Sequence, residues 1–180
     1  MELREWCGLV SRAAHRVTLT AFYSPQKDTI DYTRASSADP WQASNLSGLH
    51  FMGTESALDW RVSHTSQIKF SWTFLAGAQS ALHGLESEYV FNYPVNNARA
   101  EWGWTPAHSL MLESRLGVVQ RYQQTAYPVW SESLTRQTGR IRPYLQMTNL
   151  SNTGYDEILN VRMPGRSIVG GLEFELSHKQ

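Results

Sequence analysis

Between residues 67 and 76 the even positions are Ile68, Phe70, Trp72, Phe74 and Ala76, whereas the odd ones are Gln67, Lys69, Ser71, Thr73 and only then Leu75. A period of two with one apolar face predicts a half-buried strand. Residues 97–104 repeat it, with Ala98, Ala100, Trp102 and Trp104 set against Asn97, Arg99, Glu101 and Gly103. Over 108–122 one face carries Leu110, Leu112, Leu116, Val118 and Tyr122, and the other carries Ser109, Glu113, Arg115, Gly117 and Arg121; Met111 and Val119 are exceptions. Such a run is long for a strand of a soluble domain. The same reading predicts strands at 17–32, at 41–62 with a bulge in its first half, at 129–137, 141–150 and 167–176, and a ragged one within 3–11. Pro143 is awkward in its strand because it has no N–H to give to a ladder. No segment reads better as a helix.

The connections sort by length. They fall near 12–15 (short), 34–40 (longer), 63–66 (short), 80–96 (long), 105–107 (short), 123–128 (medium), 138–140 (short) and 151–166 (long). Short and long alternate without a break, which is expected of an antiparallel up-and-down meander in a transmembrane β-barrel with tight periplasmic turns and long extracellular loops. A Greek-key sandwich has no reason to sort its loops in this way.

The polar faces sharpen the picture. Opposite the apolar positions lie Glu55, Asp59, Arg61, Arg99, Glu101, Glu113, Arg115, Arg121, Arg142 and Glu173, so that face must be wet. Only 18% of the 180 residues are charged and 12% are aromatic, with seven tryptophans. Tyr23, Trp60, Trp72, Trp102, Trp104, Tyr122 and Trp130 fall near strand ends, as interfacial girdles would. Sixteen basic residues balance sixteen acidic ones, so nucleic acid is not an expected partner. The single Cys7 rules out an internal disulfide framework and a multi-cysteine zinc site. No stretch is long and apolar enough for a membrane-spanning helix, and the N-terminus does not read as a secretory signal.

At the C-terminal end the residues become recognisable. The segment Asn149-Leu150-Ser151-Asn152-Thr153-Gly154-Tyr155, then Met163-Pro164-Gly165-Arg166-Ser167, then an alternating last strand, resembles the closing segment of TonB-dependent outer-membrane receptors. Weaker similarity lies upstream in Ala21-Phe22-Tyr23, Asp28-Thr29-Ile30-Asp31, Asn45-Leu46 and Gly53-Thr54-Glu55. In physical terms, Gly165 after Pro164 supplies a tight turn into the last strand, and Asn149 bonds backbone where the preceding strand ends. The resemblance implies an all-β fold of about eight or nine strands forming the C-terminal part of a transmembrane barrel, over residues 1–180 and without the plug domain. It further implies a location in the outer membrane of a Gram-negative-type bacterium, and uptake of a ferric siderophore, cobalamin or similar scarce ligand. The implied partners are outer-membrane lipid, the barrel-assembly machinery, TonB through a missing N-terminal part, and a small-molecule or metal-chelate ligand. Gly171, Phe174 and Leu176 resemble the assembly signal of the last strand, but the chain runs on through Ser177-His178-Lys179-Gln180 where the family usually stops on an aromatic.

No catalytic constellation is visible, and neither an enzyme activity, a cofactor nor a resident metal is expected. Six scattered histidines read as solvated side chains rather than metal ligands. Asp28 and Asp31 read as a solvated strand end in preference to a cation site. The ligand-contact candidates are aromatics of the long loops, namely Tyr89, Phe91, Tyr93, Tyr127, Trp130 and Tyr155. Each either stacks on a chelate or macrocycle, or packs loops together and forms the outer girdle. Two other readings of the whole pattern stay open: a complete small outer-membrane barrel serving as an adhesin or structural protein, and a soluble β-sandwich that binds a small ligand.

Overall fold

The structure, a computed structural model, describes residues 4–12, 14–78, 82–90, 92–107, 109–158 and 161–175. Nine strands form one antiparallel sheet in sequence order: β1 (Arg4–Arg12), β2 (His15–Gln26), β5 (Leu49–Ser63), β6 (Ser66–Gly77), β8 (Pro94–Ala107), β9 (Leu110–Arg121), β10 (Tyr127–Arg136), β11 (Ile141–Thr148) and β14 (Ser167–Phe174). The remaining elements stand at the long-loop end. There β3 (Thr29–Arg34) lies between β4 (Gln42–Leu46) and β7 (Glu86–Ser87), while β12 (Asp156–Ile158) pairs with β13 (Val161–Arg162).

Two of the expected long strands are each broken in two. The run expected over 17–32 stops at Gln26 and turns at Asp28, whose φ is 55°; the run expected over 41–62 is interrupted at Gly48, whose φ is 74°. Left-handed backbone cannot continue a ladder, so β3 and β4 fold into a separate hairpin above the main sheet. Period-two patterning continues through both breaks, which is why hydropathy alone merges the pieces. Pro143 causes no conflict, because the β10 ladder reaches only as far as Tyr144.

Register fixes two chemically different faces. One row runs Val17, Leu58, Phe70, Ala100, Leu116 and Trp130 across six strands. Side chains on this face are open: Leu116, Trp130, Trp102, Phe70, Leu172 and Phe174 are all exposed, and Leu172 and Phe174 are 57% and 59% so. The opposite face carries the row Arg16, Asp59, Lys69, Glu101 and Arg115, alternating in sign from strand to strand. Glu101 Oε1 joins Arg99 at 2.6 Å and Arg115 at 3.0 Å, and Arg115 also reaches Glu113 at 2.9 Å. Opposite charges on neighbouring strands keep this wet face locally neutral.

Among the described residues only Leu46 and Leu49 are buried apolar side chains. Phe51, Leu82, Val90, Tyr93 and Tyr122 pack against Leu49 in a small cluster under the loops, not a core between two layers. A soluble sandwich buries one face of each sheet against the other. Here the apolar face is the uncovered one, which suits a hydrocarbon environment. One carboxylate breaks that face: Glu132 lies beside Trp130, whose Nε1 donates to its Oε1 at 2.9 Å and to Ser114 Oγ at 3.1 Å.

On the wet face aromatic rings lie over glycines. A Cβ on Gly53 would lie 2.4 Å from the Phe74 carbonyl oxygen and 2.5 Å from the Phe22 ring; one on Gly77 would meet Phe51 at 2.6 Å; one on Gly171 would meet the Tyr144 hydroxyl at 2.5 Å. Backbone oxygen cannot step aside, so Gly53→Ala is expected to cost about 1–3 kcal/mol. Gly117→Ala, whose nearest neighbour would stand at an ordinary 3.8 Å, is the matched control. The unfolding temperature of the detergent-folded protein should fall in the first and hold in the second.

Candidate functional site

The loop end is held together by two buried polar side chains. Asp31, 2% exposed, lies on the hairpin strand β3. Its Oδ1 accepts from the amides of Tyr32 (2.8 Å) and Tyr89 (3.2 Å), and its Oδ2 accepts from the Val90 amide (3.2 Å) and the Ser87 hydroxyl. The expected solvated strand end is therefore corrected for Asp31, whereas Asp28 is exposed. Four donors consume the carboxylate, which pins residues 87–90 to the hairpin.

Asn149, 3% exposed with φ of 50°, does the same for the last loop. Its Nδ2 donates to the carbonyls of Thr153 (2.9 Å) and Pro164 (3.2 Å), and its Oδ1 accepts from the Thr153 amide at 2.9 Å. Asn152 Oδ1 accepts from the Arg166 amide at 3.0 Å and would stand 2.8 Å from a Cβ on Gly165. The two halves of the sequence motif, fifteen residues apart, are thus bonded to each other. Gly165 is needed for this close approach; the left-handed glycines are Gly48, Gly84 and Gly139. The amide of Leu150 donates to the Trp130 carbonyl at 2.8 Å, which anchors the loop to β10.

These pins frame two clefts that share Gln124. The first encloses about 510 Å³ among Arg34, Trp41, Glu86, Glu88, Asn92 and Tyr122. Arg34 stacks over Trp41 at 4.3 Å and pairs with Glu86 at 2.7 Å. The second encloses about 640 Å³ among Thr125, Tyr127, Gly154, Tyr155, Asp156 and Arg162. Tyr127 and Tyr155 stack with centroids 4.7 Å apart at 20°, and the Arg162 guanidinium lies against Gly154, 2.6 Å from where a Cβ would stand.

The sequence-derived aromatics separate accordingly. Tyr127 and Tyr155 line the second cleft. Tyr93 packs: its ring meets Phe51 edge-on at 5.3 Å and stacks on Tyr122 at 5.8 Å, and its hydroxyl accepts from the Gly77 amide at 2.8 Å. Tyr122 therefore joins the loop cluster and leaves the expected girdle. Tyr89 is exposed and edge-on to Tyr32 at 6.2 Å. Trp130 lies within β10 opposite Leu116, on the apolar face and not in a loop. Phe91 and Leu176 lie outside the described residues. On the last strand, Gly171 seats the Tyr144 ring, and Phe174 pairs with Ile141 on the apolar face.

Three loop phenols are held protonated beyond their ordinary range. The Glu88 charge does this for Tyr89, ahead of burial. Burial does it for Tyr93 against the lowering effect of the Gly77 amide, and for Tyr155 with help from Glu157 and Tyr127. All three remain neutral at physiological pH. Arg34, Trp41, Glu86 and Arg162 were not singled out by the sequence, since isolated residues at strand ends and in loops carry no periodic signal. Among the described residues no group of His, Cys, Asp or Glu side chains is arranged to hold a metal ion.

No family model matches the chain, and no curated sequence does. Solved structures do match. The copper transporter OprC superposes with a TM-score of 0.75 at 16% identity, over 96% of this chain and 30% of its own. A variant of the ferric enterobactin receptor PfeA of Pseudomonas aeruginosa gives 0.73 at 14%, over 94% and 30%. The siderophore receptor PirA of Acinetobacter baumannii gives 0.70 at 11%, over 96% and 31%. The chain shares the β-sheet fold of part of these proteins. The chain spans about 30% of the length of these receptors, so it corresponds to an arc of their barrel wall.

Proposed function

We propose that this chain is a wall segment of an outer-membrane receptor for TonB-dependent uptake of a scarce ligand, with the long loops facing outward and the tight turns facing the periplasm. The observation that carries this reading is the sheet with an uncovered apolar face and a charged opposite face, in the topology shared with a copper transporter and two siderophore receptors. Lipid covers the first face and the wet lumen lies behind the second. TonB acts through the remainder of the receptor, and the barrel-assembly machinery inserts it.

Strand direction argues against a complete small barrel. With nine strands in antiparallel sequence, the edge strands β1 and β14 run the same way. Closing one on the other, or on a second copy in the same orientation, would make parallel seams. Antiparallel closure takes an odd number of further strands, and an edge left unpaired in hydrocarbon is not tolerated.

The second cleft, with its tyrosine stack and a guanidinium, suits an anionic chelate bearing flat rings. In the full receptor, Tyr155→Ala and Arg162→Ala are each expected to weaken binding of a ferric catecholate probe about three- to tenfold, as the loss of one stacking or charge contact would. Titration by tryptophan fluorescence reads this. Unchanged affinity in both variants would remove the cleft from the binding surface.

A further inference from the structure

The formal net charge of zero conceals a segregation along the strands. The long-loop end holds Asp28, Asp31, Asp39, Glu86, Glu88, Asp156 and Glu157 against Lys27, Arg34, Arg121, Arg162 and Arg166, a net acidic balance. The tight-turn segments 12–16, 60–68, 104–112 and 134–142 contain no Asp or Glu, and they carry Arg12, Arg16, Arg61, Arg136, Arg140 and Arg142 together with His15, His64 and His108. The carboxylates that reach this end are Glu173, paired with Arg142, and Glu175, whose amide donates to the Arg140 carbonyl. Among the described residues, Arg61, Arg136 and Arg140 form no ion pair, and all three are exposed.

This rim is stiff. Each tight turn accepts a backbone hydrogen bond from the next strand along: Arg61 to Ala14 at 2.8 Å, Thr105 to Thr65 at 2.8 Å, Gln137 to Ser109 at 2.7 Å, and Glu175 to Arg140 at 3.0 Å. Arg136 folds back over the turn, its guanidinium about 3.7 Å from where a Cβ on Gly139 would stand. On the apolar face beside it, Trp102 and Trp104 stack at 5.8 Å, Trp102 Nε1 donates to Ser66 Oγ, and Trp60 pairs across from His15. Tryptophans at this level mark the headgroup layer. Unpaired guanidiniums in the same layer meet phosphate, not water alone.

We infer that the tight-turn rim is a binding surface for the headgroups of anionic phospholipid, with Arg136 and Arg140 as its principal contacts. The inference rests on the membrane reading above.

Receptor purified from outer membranes in non-ionic detergent is offered equal phosphatidylglycerol and phosphatidylcholine of the same chain length, and the retained lipid is read by native mass spectrometry. The expected result is retention of phosphatidylglycerol over phosphatidylcholine, with the preference falling about fivefold for each arginine lost in Arg136→Ser/Arg140→Ser. The lysine pair Arg136→Lys/Arg140→Lys should keep much of it, which shows that the rim still folds, and Lys27→Ser at the other end should keep all of it. Equal retention of the two lipids by the wild type, or an undiminished preference in the serine pair, overturns the proposal while leaving the membrane reading intact. A receptor that retains neither lipid and stays dispersed without detergent overturns both.

Discussion

Asp31→Ala is expected to free the loop segment of residues 82–90 from the hairpin without unfolding the sheet beneath it. The substitution leaves the Ser87 hydroxyl and the amides of Tyr32, Tyr89 and Val90 without their acceptor in a site only 2% exposed. Each stranded donor costs about 1–3 kcal/mol while it stays buried. The loop escapes that cost by opening to water, so the net effect is capped at about 3–4 kcal/mol and appears as local opening. Hydrogen exchange at Tyr89 and Val90 should accelerate about a hundredfold or more, while amides of β8 and β9 keep their protection. Asp31→Asn should fall between, because one amide oxygen still accepts whereas its NH2 faces donors. Unchanged exchange in the alanine variant would mean that the carboxylate does not hold the loop. The first cleft, which depends on Glu86, Glu88 and Asn92 from the same loop, should lose its shape along with it.

Asn149→Ala should have a comparable effect on the last loop. It removes two donors and an acceptor used by Thr153 and Pro164, and it puts a Cβ-bearing apolar residue at φ of 50°, which by itself costs about 1 kcal/mol. The total is about 2–4 kcal/mol. Asn149→Asp should be nearly as damaging, since a second carboxylate oxygen would face the two carbonyls. Asn149→Gly relieves the backbone but restores no hydrogen bond. Limited proteolysis between residues 150 and 166 reads the difference: rapid cleavage in the alanine and aspartate variants, slow cleavage in the wild type. Because Tyr155 and Arg162 sit on this loop, the second cleft should be lost with it.

What the sequence made legible follows from the physics of each feature. Faces were legible because a sheet between lipid and water imposes strict alternation, and a slip of one residue would exchange Leu116 with Arg115. Connection lengths were legible for the same reason, since they are what lies between periodic runs. The breaks at Asp28 and Gly48 were hidden because β3 and β4 keep the alternation of the strands they extend. The burial of Asp31 was hidden because three of its four donors come from residues 87–90, far along the chain, and a lone aspartate in a polar run reads as solvated. Asn149 was legible through its motif, although the bond from its amide to the Pro164 carbonyl, which joins the two halves, is a tertiary fact. The clefts were the least legible. Arg34 with Trp41, and Arg162 with Gly154, meet only once hairpin and loops have been brought together above the sheet.

The Leu116 face is expected to meet lipid and the Arg115 face water. With Cys7 replaced by serine, single spin labels are placed along residues 110–120 of the receptor in phospholipid bilayers, and their collision rates with oxygen and with a water-soluble nickel chelate are compared. The account predicts a period of two, with oxygen contact highest at positions 112, 116 and 118 and nickel contact highest at 113, 115 and 117. Uniform access to the nickel chelate at every position, or the opposite phase, would contradict it.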